Sequence, residues 1–94
     1  MLAVVAHIKV KEGTQADFEA VAKQLVEKVN ENEEGCVLYQ LHKGDDPLVY
    51  TFLERYKDQA ATEAHRKSDH FRTLGRAMGE FMDGPPEILR LTQV

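Results

Sequence analysis

Residues 36–56 read CVLYQLHKGDDPLVYTFLERY, and this stretch decides the fold. Two runs rich in aliphatic and aromatic residues, 36–43 and 48–56, flank the turn sequence Gly44-Asp45-Asp46-Pro47. A turn this short joins antiparallel neighbours, so the stretch predicts a β-hairpin with a loop of about four residues. Strict alternation in the first run would place Cys36 with Leu38 on one face and Tyr39 on the other.

One strand and one helix are predicted before this hairpin. Alternate residues from Leu2 to Val10 are apolar, which is typical of a strand. Apolar residues between Phe18 and Val29 recur at spacings of three and four, which predicts a helix with one apolar stripe. Thr14 is a candidate N-cap, and Asp17 follows it at the spacing of a capping box.

A second helical region and a last strand are predicted after the hairpin. Asp58 can cap a helix beginning near Gln59, and Ser68-Asp69 reads as a second cap where the helix bends or restarts. Gly84-Pro85-Pro86 ends the helical pattern, and residues 87–94 alternate like a strand. The order β-α-β-β-α-β predicts a ferredoxin-like α+β fold, with an antiparallel sheet and both helices on one face.

Composition restricts the classes of protein and of partner. A length of 94 residues supports one domain over 1–94, and 12 Lys+Arg against 16 Asp+Glu give a net charge of −4 that argues against nucleic acid. No apolar run approaches a membrane span, and the N-terminus lacks a signal-peptide pattern. Cys36 is the single cysteine and cannot form an internal disulfide. We therefore expect a cytoplasmic protein with no membrane partner.

The predicted topology leaves one face of the sheet without helices. That face would carry Val5 and His7 from the first strand, with further apolar residues that depend on the strand register. No other segment of the chain is available to cover it, and exposure of a large apolar sheet face is unfavourable. A twofold homodimer that stacks two such faces is therefore expected.

Three segments together resemble a known family. They are GCVLY at 35–39, FLERYKD at 52–58 and AHRKSDHF at 64–71. In this order and spacing they resemble the antibiotic biosynthesis monooxygenase family of dimeric α+β barrels, and within it the quinol monooxygenase group and the group that processes phosphorylated autoinducer-2. The resemblance implies a pocket between sheet and helices and a reaction without cofactor or metal. A deprotonated quinol, phenol or anthrone would then reduce dioxygen directly.

The two histidines His65 and His70 are the candidate catalytic residues, matching the family's pair of histidines. Imidazole accepts a proton near neutral pH, as removal of a phenolic proton requires. Asp69 stands where relatives often have proline. On a continuous helix the two side chains would lie ~140° apart, so they share a face only if Ser68 breaks the helix. Their spacing of five residues also argues against a metal site.

Five further residues are candidates for binding the substrate. They are Glu54, Tyr39, Tyr50, Phe71 and Met78. Glu54 follows apolar neighbours on its strand, where a carboxylate serves as a pocket acid or base, or as an ion-pair partner. The tyrosines offer an aromatic wall and a hydroxyl, while the other two belong to an apolar helical stripe. The tyrosines, Phe71 and Met78 also fit ordinary places in the core, and Cys36 is read as an inert buried thiol.

The resemblance leaves three functions open. The first is a monooxygenase acting on a quinol-like or polyphenolic small molecule. The second is an isomerase that moves a proton on a small, phosphorylated or unphosphorylated dicarbonyl. The third is a dimeric protein that binds a ligand without turnover. Haem degradation is disfavoured, because haem-degrading relatives use an asparagine in the first strand, where Ala6 stands here, and a tryptophan, which this chain lacks.

Overall fold

The computed structural model describes residues 1–94 and contains four strands and three helices. Along the chain they are β1 (Leu2–Lys9), α1 (Gln15–Asn32), β2 (Cys36–Lys43), β3 (Val49–Tyr56), α2 (Gln59–Lys67), α3 (Asp69–Gly79) and β4 (Glu87–Thr92). The strands form one antiparallel sheet in the order β2-β3-β1-β4. The predicted ferredoxin-like α+β fold is confirmed, with its second helix divided into α2 and α3.

A β-bulge in β2 changes which residues face the helices. Cys36 pairs with Tyr56 and Leu38 pairs with Arg55, so Val37 is the extra residue on its strand. Cys36 consequently packs beside the core on the inner face, whereas Val37 is 55% exposed. The prediction that Cys36 shares a face with Leu38 is therefore wrong, because strict alternation does not survive a bulge.

The helix starts agree only in part with the predicted caps. Asp58 caps α2 as predicted, since its Oδ1 accepts a hydrogen bond from the Ala61 amide at 2.9 Å. Thr14 does not cap α1 with its side chain; its hydroxyl instead donates to the Lys11 carbonyl at 2.6 Å. Thr14 thus occupies the predicted N-cap position, but the capping-box prediction is wrong because its hydroxyl is directed to the preceding turn.

The core lies between the inner face of the sheet and the helices. Its buried members are Ala6, Ile8, Val10, Phe18, Ala22, Leu25, Val29, Tyr39, Tyr50, Phe52 and Met78. Burial of the Val, Leu, Ile, Phe and Met side chains among them stabilises the fold by about 1.5–3 kcal/mol each. The helices do not extend over β4, where all six residues are exposed. The sheet therefore projects beyond the helix layer at this edge, which leaves space for a cavity.

The strand register settles the composition of the outer face of the sheet, on the side away from the helices. Val5 pairs with Leu53 on one side and Leu89 on the other, and His7 lies opposite Thr51. Leu89 and the nearby Leu91 are 47% and 50% exposed. The outer face thus has an apolar centre where Val5, Leu53 and Leu89 meet, beside the polar pair His7 and Thr51. None of the three helices has the length and apolar character needed to cross a membrane.

Candidate active site

A cavity of about 540 Å³ lies between the inner face of the sheet and the pair α2–α3. Its size falls within the range of small-molecule sites. Most of its wall is apolar, and the side chains responsible include Leu2, Val4, Ala6, Ile8, Phe52, Phe71, Met78, Met82 and Ile88. The polar residues at its inner end are His65, Glu54, Tyr39 and Tyr56. A ligand here would have an apolar body and a few polar groups aimed at these residues.

Ser68 separates α2 from α3 and brings the two predicted histidines together. Its backbone is extended, with φ −65° and ψ 147°, so the helix cannot continue through it. The Ser68 hydroxyl donates to the His65 carbonyl at 2.7 Å and accepts from the Phe71 amide at 3.2 Å. The helix break at Ser68, on which a common position of the two histidines depended, is therefore present. It allows His65 and His70 to approach the same partner.

That shared partner is Glu33, at the C-terminal end of α1. His65 Nδ1 lies 3.0 Å from both carboxylate oxygens, and His70 Nε2 lies 2.5 Å from Oε2. The Glu33 side chain is only 10% exposed. Sequence reasoning missed this residue, because it lies in the polar segment after α1 and 32 positions before His65. No local pattern in the sequence marks such a contact.

Of the two histidines, only His65 lines the cavity. Its Nδ1 is engaged by Glu33, and its Nε2 has no hydrogen-bond partner in the protein. No buried side-chain nitrogen or oxygen in the structure lacks a partner, so Nε2 borders accessible space in the cavity. Because a carboxylate accepts from Nδ1–H, the neutral ring presents the lone pair of Nε2 to a ligand. This is the arrangement of a general base.

The environment of His65 keeps its imidazole neutral near pH 7. Burial lowers the pKa of His65 below its usual value, and the nearby His70 and Arg66 act in the same direction. The Glu33 carboxylate opposes this effect by hydrogen bonding and by its charge. The rings of Tyr39, Tyr56 and Phe71 surround the imidazole at centroid distances of 5.2, 5.6 and 4.6 Å. These contacts fix the ring plane.

Glu54 is a second titratable group in the same cavity. It is buried on the inner face of β3 and accepts a 2.5 Å hydrogen bond from the Tyr56 hydroxyl. Burial raises the pKa of Glu54 to about 7, and the Glu33 charge adds to this effect, while Tyr56 and Arg90 oppose it. Both protonation states are therefore populated near neutral pH. Glu54 can donate a hydrogen bond or accept one from a ligand.

The cavity includes five of the seven predicted site residues. They are Tyr39, Glu54, His65, Phe71 and Met78. Burial, with the nearby Glu54 and Glu33 charges, raises the pKa of Tyr39, so its phenol keeps its proton and can donate a hydrogen bond. His70 lies behind Glu33, outside the cavity wall. The structure therefore separates the two histidines into an inner residue and a supporting one.

Tyr50 does not reach this cavity. It lies four residues before Glu54 on β3, which corresponds to roughly 13 Å along a strand. Its ring packs on Phe18 at a centroid distance of 4.9 Å, and its hydroxyl donates to Glu19 beside a separate groove along α1 and β2. Tyr50 therefore lies outside the cavity that contains Glu54 and His65, and the one groove that it shares with Tyr39 is this separate one.

Cys36 shows the character of an inert thiol. It is half-buried at the start of β2, and its Sγ donates to the Leu38 carbonyl. Burial and the charges of Glu33 and Glu54 raise the pKa of Cys36 to about 12. The thiolate required for nucleophilic chemistry is therefore scarce at neutral pH.

A curated relative is similar to this chain over nearly its whole length. The protein from Bacillus subtilis (strain 168) named "Putative monooxygenase YcnE" is 31% identical over 91 residues. The match covers 96% of this chain and 95% of the relative.

Two solved structures are also similar to this chain over nearly its whole length. One is the crystal structure of a protein from Caulobacter crescentus CB15 named "putative antibiotic biosynthesis monooxygenase". Its sequence is 40% identical to this chain, and the two structures superpose with a TM-score of 0.95. The match covers 99% of this chain and 89% of that one. A conserved protein from Methanosarcina mazei Go1 is 31% identical with a TM-score of 0.93, over 99% of this chain and 92% of that one.

The family model described as "Antibiotic biosynthesis monooxygenase" matches residues 1–77. The matched segment contains the hairpin, the Glu33 carboxylate and both histidines, whereas β4 follows it. The earlier resemblance is thereby confirmed at the level of the family. From sequence and fold together, the chain belongs to the antibiotic biosynthesis monooxygenase family.

Proposed function

We propose that this protein is a cofactor-independent monooxygenase that oxidises a quinol-like or polyphenolic small molecule with dioxygen. In the net reaction a quinol is converted to a hydroxylated quinone. One oxygen atom of O₂ enters the ring and the other leaves as water, so the substrate supplies all four electrons. The protein then has to bind the ring, take its phenolic proton and stabilise the resulting anion.

One observation carries this proposal: the free Nε2 of a carboxylate-supported histidine faces a largely apolar cavity. His65 would take the phenolic proton at Nε2, and Glu33 would stabilise the imidazolium that forms. Tyr39 and protonated Glu54 would donate hydrogen bonds to the substrate oxygens. The apolar wall formed by Phe71, Met78 and their neighbours suits an aromatic ring and excludes water.

Oxygen uptake by metal-free protein tests this function. We expect protein treated with EDTA and then dialysed to consume one O₂ per hydroquinone, above the rate of autoxidation and without hydrogen peroxide. With ¹⁸O₂, one labelled atom should appear in the quinone and one in water. Heat-denatured protein serves as the control for trace metals. No enzyme-dependent uptake, or peroxide formed in proportion to the O₂ consumed, would contradict the proposal.

A second candidate function uses the same residues without oxygen. His65 and Glu54 are two proton-transfer groups in one cavity, as an isomerase acting on a small dicarbonyl would need. The base would remove a proton from one carbon and the acid would return it elsewhere. Turnover of a dicarbonyl under strict anaerobiosis, with no uptake of O₂ in the presence of hydroquinones, would favour this function over the first.

We also propose that two copies pair through the outer face of the sheet. Val5, Leu53, Leu89 and Leu91 form an apolar surface there, and burying it between two copies would stabilise both. Sedimentation should give twice the 10.7 kDa mass of the chain. Leu89→Glu should yield monomers by placing a charge in the interface, whereas Leu89→Met should remain dimeric. A monomeric wild-type protein at tens of micromolar would contradict the pairing.

A further inference from the structure

The arginine residues of this protein are concentrated at one cavity. The chain contains five arginines and seven lysines, and four of the arginines but none of the lysines line the candidate active site. Arg66 lies in the last turn of α2, Arg72 and Arg76 are one turn apart on α3, and Arg90 lies on β4. Three separate elements therefore contribute arginine residues to the lining of the same cavity.

None of these four arginines forms an ion pair within the protein. None of the four lies within 4.0 Å of a carboxylate, since the ion pairs of the structure involve only lysines and histidines. All four residues are exposed, which places them at the mouth of the cavity and not at its inner end. Glu54 is the single carboxylate in the cavity wall, and it is buried and bonded to Tyr56. The mouth is thus positively charged in a chain of net charge −4.

The choice of arginine is informative about the ligand. A guanidinium group binds carboxylate and phosphate through paired N–H donors, and its apolar stem can lie along a hydrophobic wall. We propose that the natural substrate is an aromatic diphenol carrying an oxyanion, a carboxylate or a phosphate, which the mouth arginines hold. The apolar interior would take the ring, and the phenol would reach His65. The diphenol part of this inference rests on the proposed function, whereas the oxyanion part does not.

Two pairs of ligands test the inference, each consisting of an anion and a neutral compound with the same aromatic ring. The first pair is 1,4-dihydroxy-2-naphthoate and its methyl ester, and the second is 1-naphthyl phosphate and 1-naphthol. Titration calorimetry without oxygen should show the anion of at least one pair binding about tenfold more tightly than its neutral partner. The pair with the larger ratio identifies the preferred oxyanion. The preference should be larger at about 20 mM than at about 500 mM salt, because salt screens exposed charges.

Two variants and one control connect the preference to the arginines. The double variant Arg72→Gln/Arg76→Gln should reduce the ratio of neutral to anionic Kd to within about twofold of unity. Arg90→Gln, which removes an arginine of β4 instead of α3, should also lower this ratio. Lys67→Gln removes one positive charge beside Arg66 but outside the cavity, so the ratio should persist. Equal affinities within both pairs for the wild type would overturn the inference. The inference would also be overturned if Lys67→Gln reduced the Kd ratio as much as the arginine variants do, because that result would indicate only a general effect of charge.

The anionic site and the oxygenase reaction can fail separately. Preferential binding of the anion without oxygen uptake from any quinol would remove the monooxygenase and leave the oxyanion site. Oxygen uptake from a quinol, together with equal Kd values within both ligand pairs, would retain the monooxygenase and remove the oxyanion site. Ribose 5-phosphate serves as an oxyanion without an aromatic body. If it bound as tightly as the naphthoate, the aromatic part of the inference would be overturned.

Discussion

His65→Gln is expected to lower kcat/KM for quinol oxidation by about 100-fold or more, which is the usual contribution of a general base. Glutamine can still donate a hydrogen bond to Glu33, but its amide cannot accept a phenolic proton at neutral pH. The loss should appear in kcat, because proton removal occurs in the transition state. Initial rates of oxygen uptake, corrected for autoxidation, measure the effect.

Two other histidines provide matched controls for this variant. His70→Gln removes the second imidazole bound to Glu33 but touches no ligand, so we expect a loss within about tenfold. His42→Gln alters an exposed residue at the hairpin end and should have the activity of the wild type. Thermal melting by circular dichroism checks that each variant is folded. If a folded His65→Gln keeps wild-type activity, or if His70→Gln loses more than His65→Gln, the assignment of the base is wrong.

Glu33→Gln is expected to lower kcat/KM by about 10- to 100-fold and to move its acidic limb to lower pH. The base acts when His65 is neutral, so activity rises as pH increases through its pKa, which lies below the usual 6.5. Glu33 raises the pKa of His65, and removing its charge must lower that pKa further. Glu33 also raises the pKa of Glu54, so any contribution of Glu54 to the profile should move in the same direction. A full pH profile of kcat/KM measures both effects.

The adjacent Glu34 provides the control for the Glu33 variant. Glu34 is exposed and has no bond to either histidine, so Glu34→Gln should leave both the rate and the pH profile unchanged. A drop in rate with an unmoved acidic limb would indicate that Glu33 only maintains structure. Equal effects of the two substitutions would show that the general negative charge of this segment is responsible, and not the contact with His65.

The register of the sheet shows where sequence patterns are reliable and where they fail. Alternation in β1 and β3 correctly assigns their inner and outer faces, because both strands are regular. It fails at the start of β2, where Val37 is the extra residue of a β-bulge. No residue type in this segment predicts that bulge. The hairpin turn at 44–47 and the caps at Asp58 and Ser68 are predictable, because they depend on residues within four positions of one another.

The amino-acid sequence by itself determined the order of elements, the ferredoxin-like fold, the family, and the choice of His65 and His70 as candidate catalytic residues. All of these follow from local periodicity, from turn chemistry or from short motifs. Only the tertiary structure decided that Glu33 supports His65, that Tyr50 lies outside the cavity, and that four arginines from three elements share its mouth. The physical reason is that side-chain convergence depends on how elements far apart in the chain pack together. Neither the hydrophobic period nor the turn residues encode where those side chains meet.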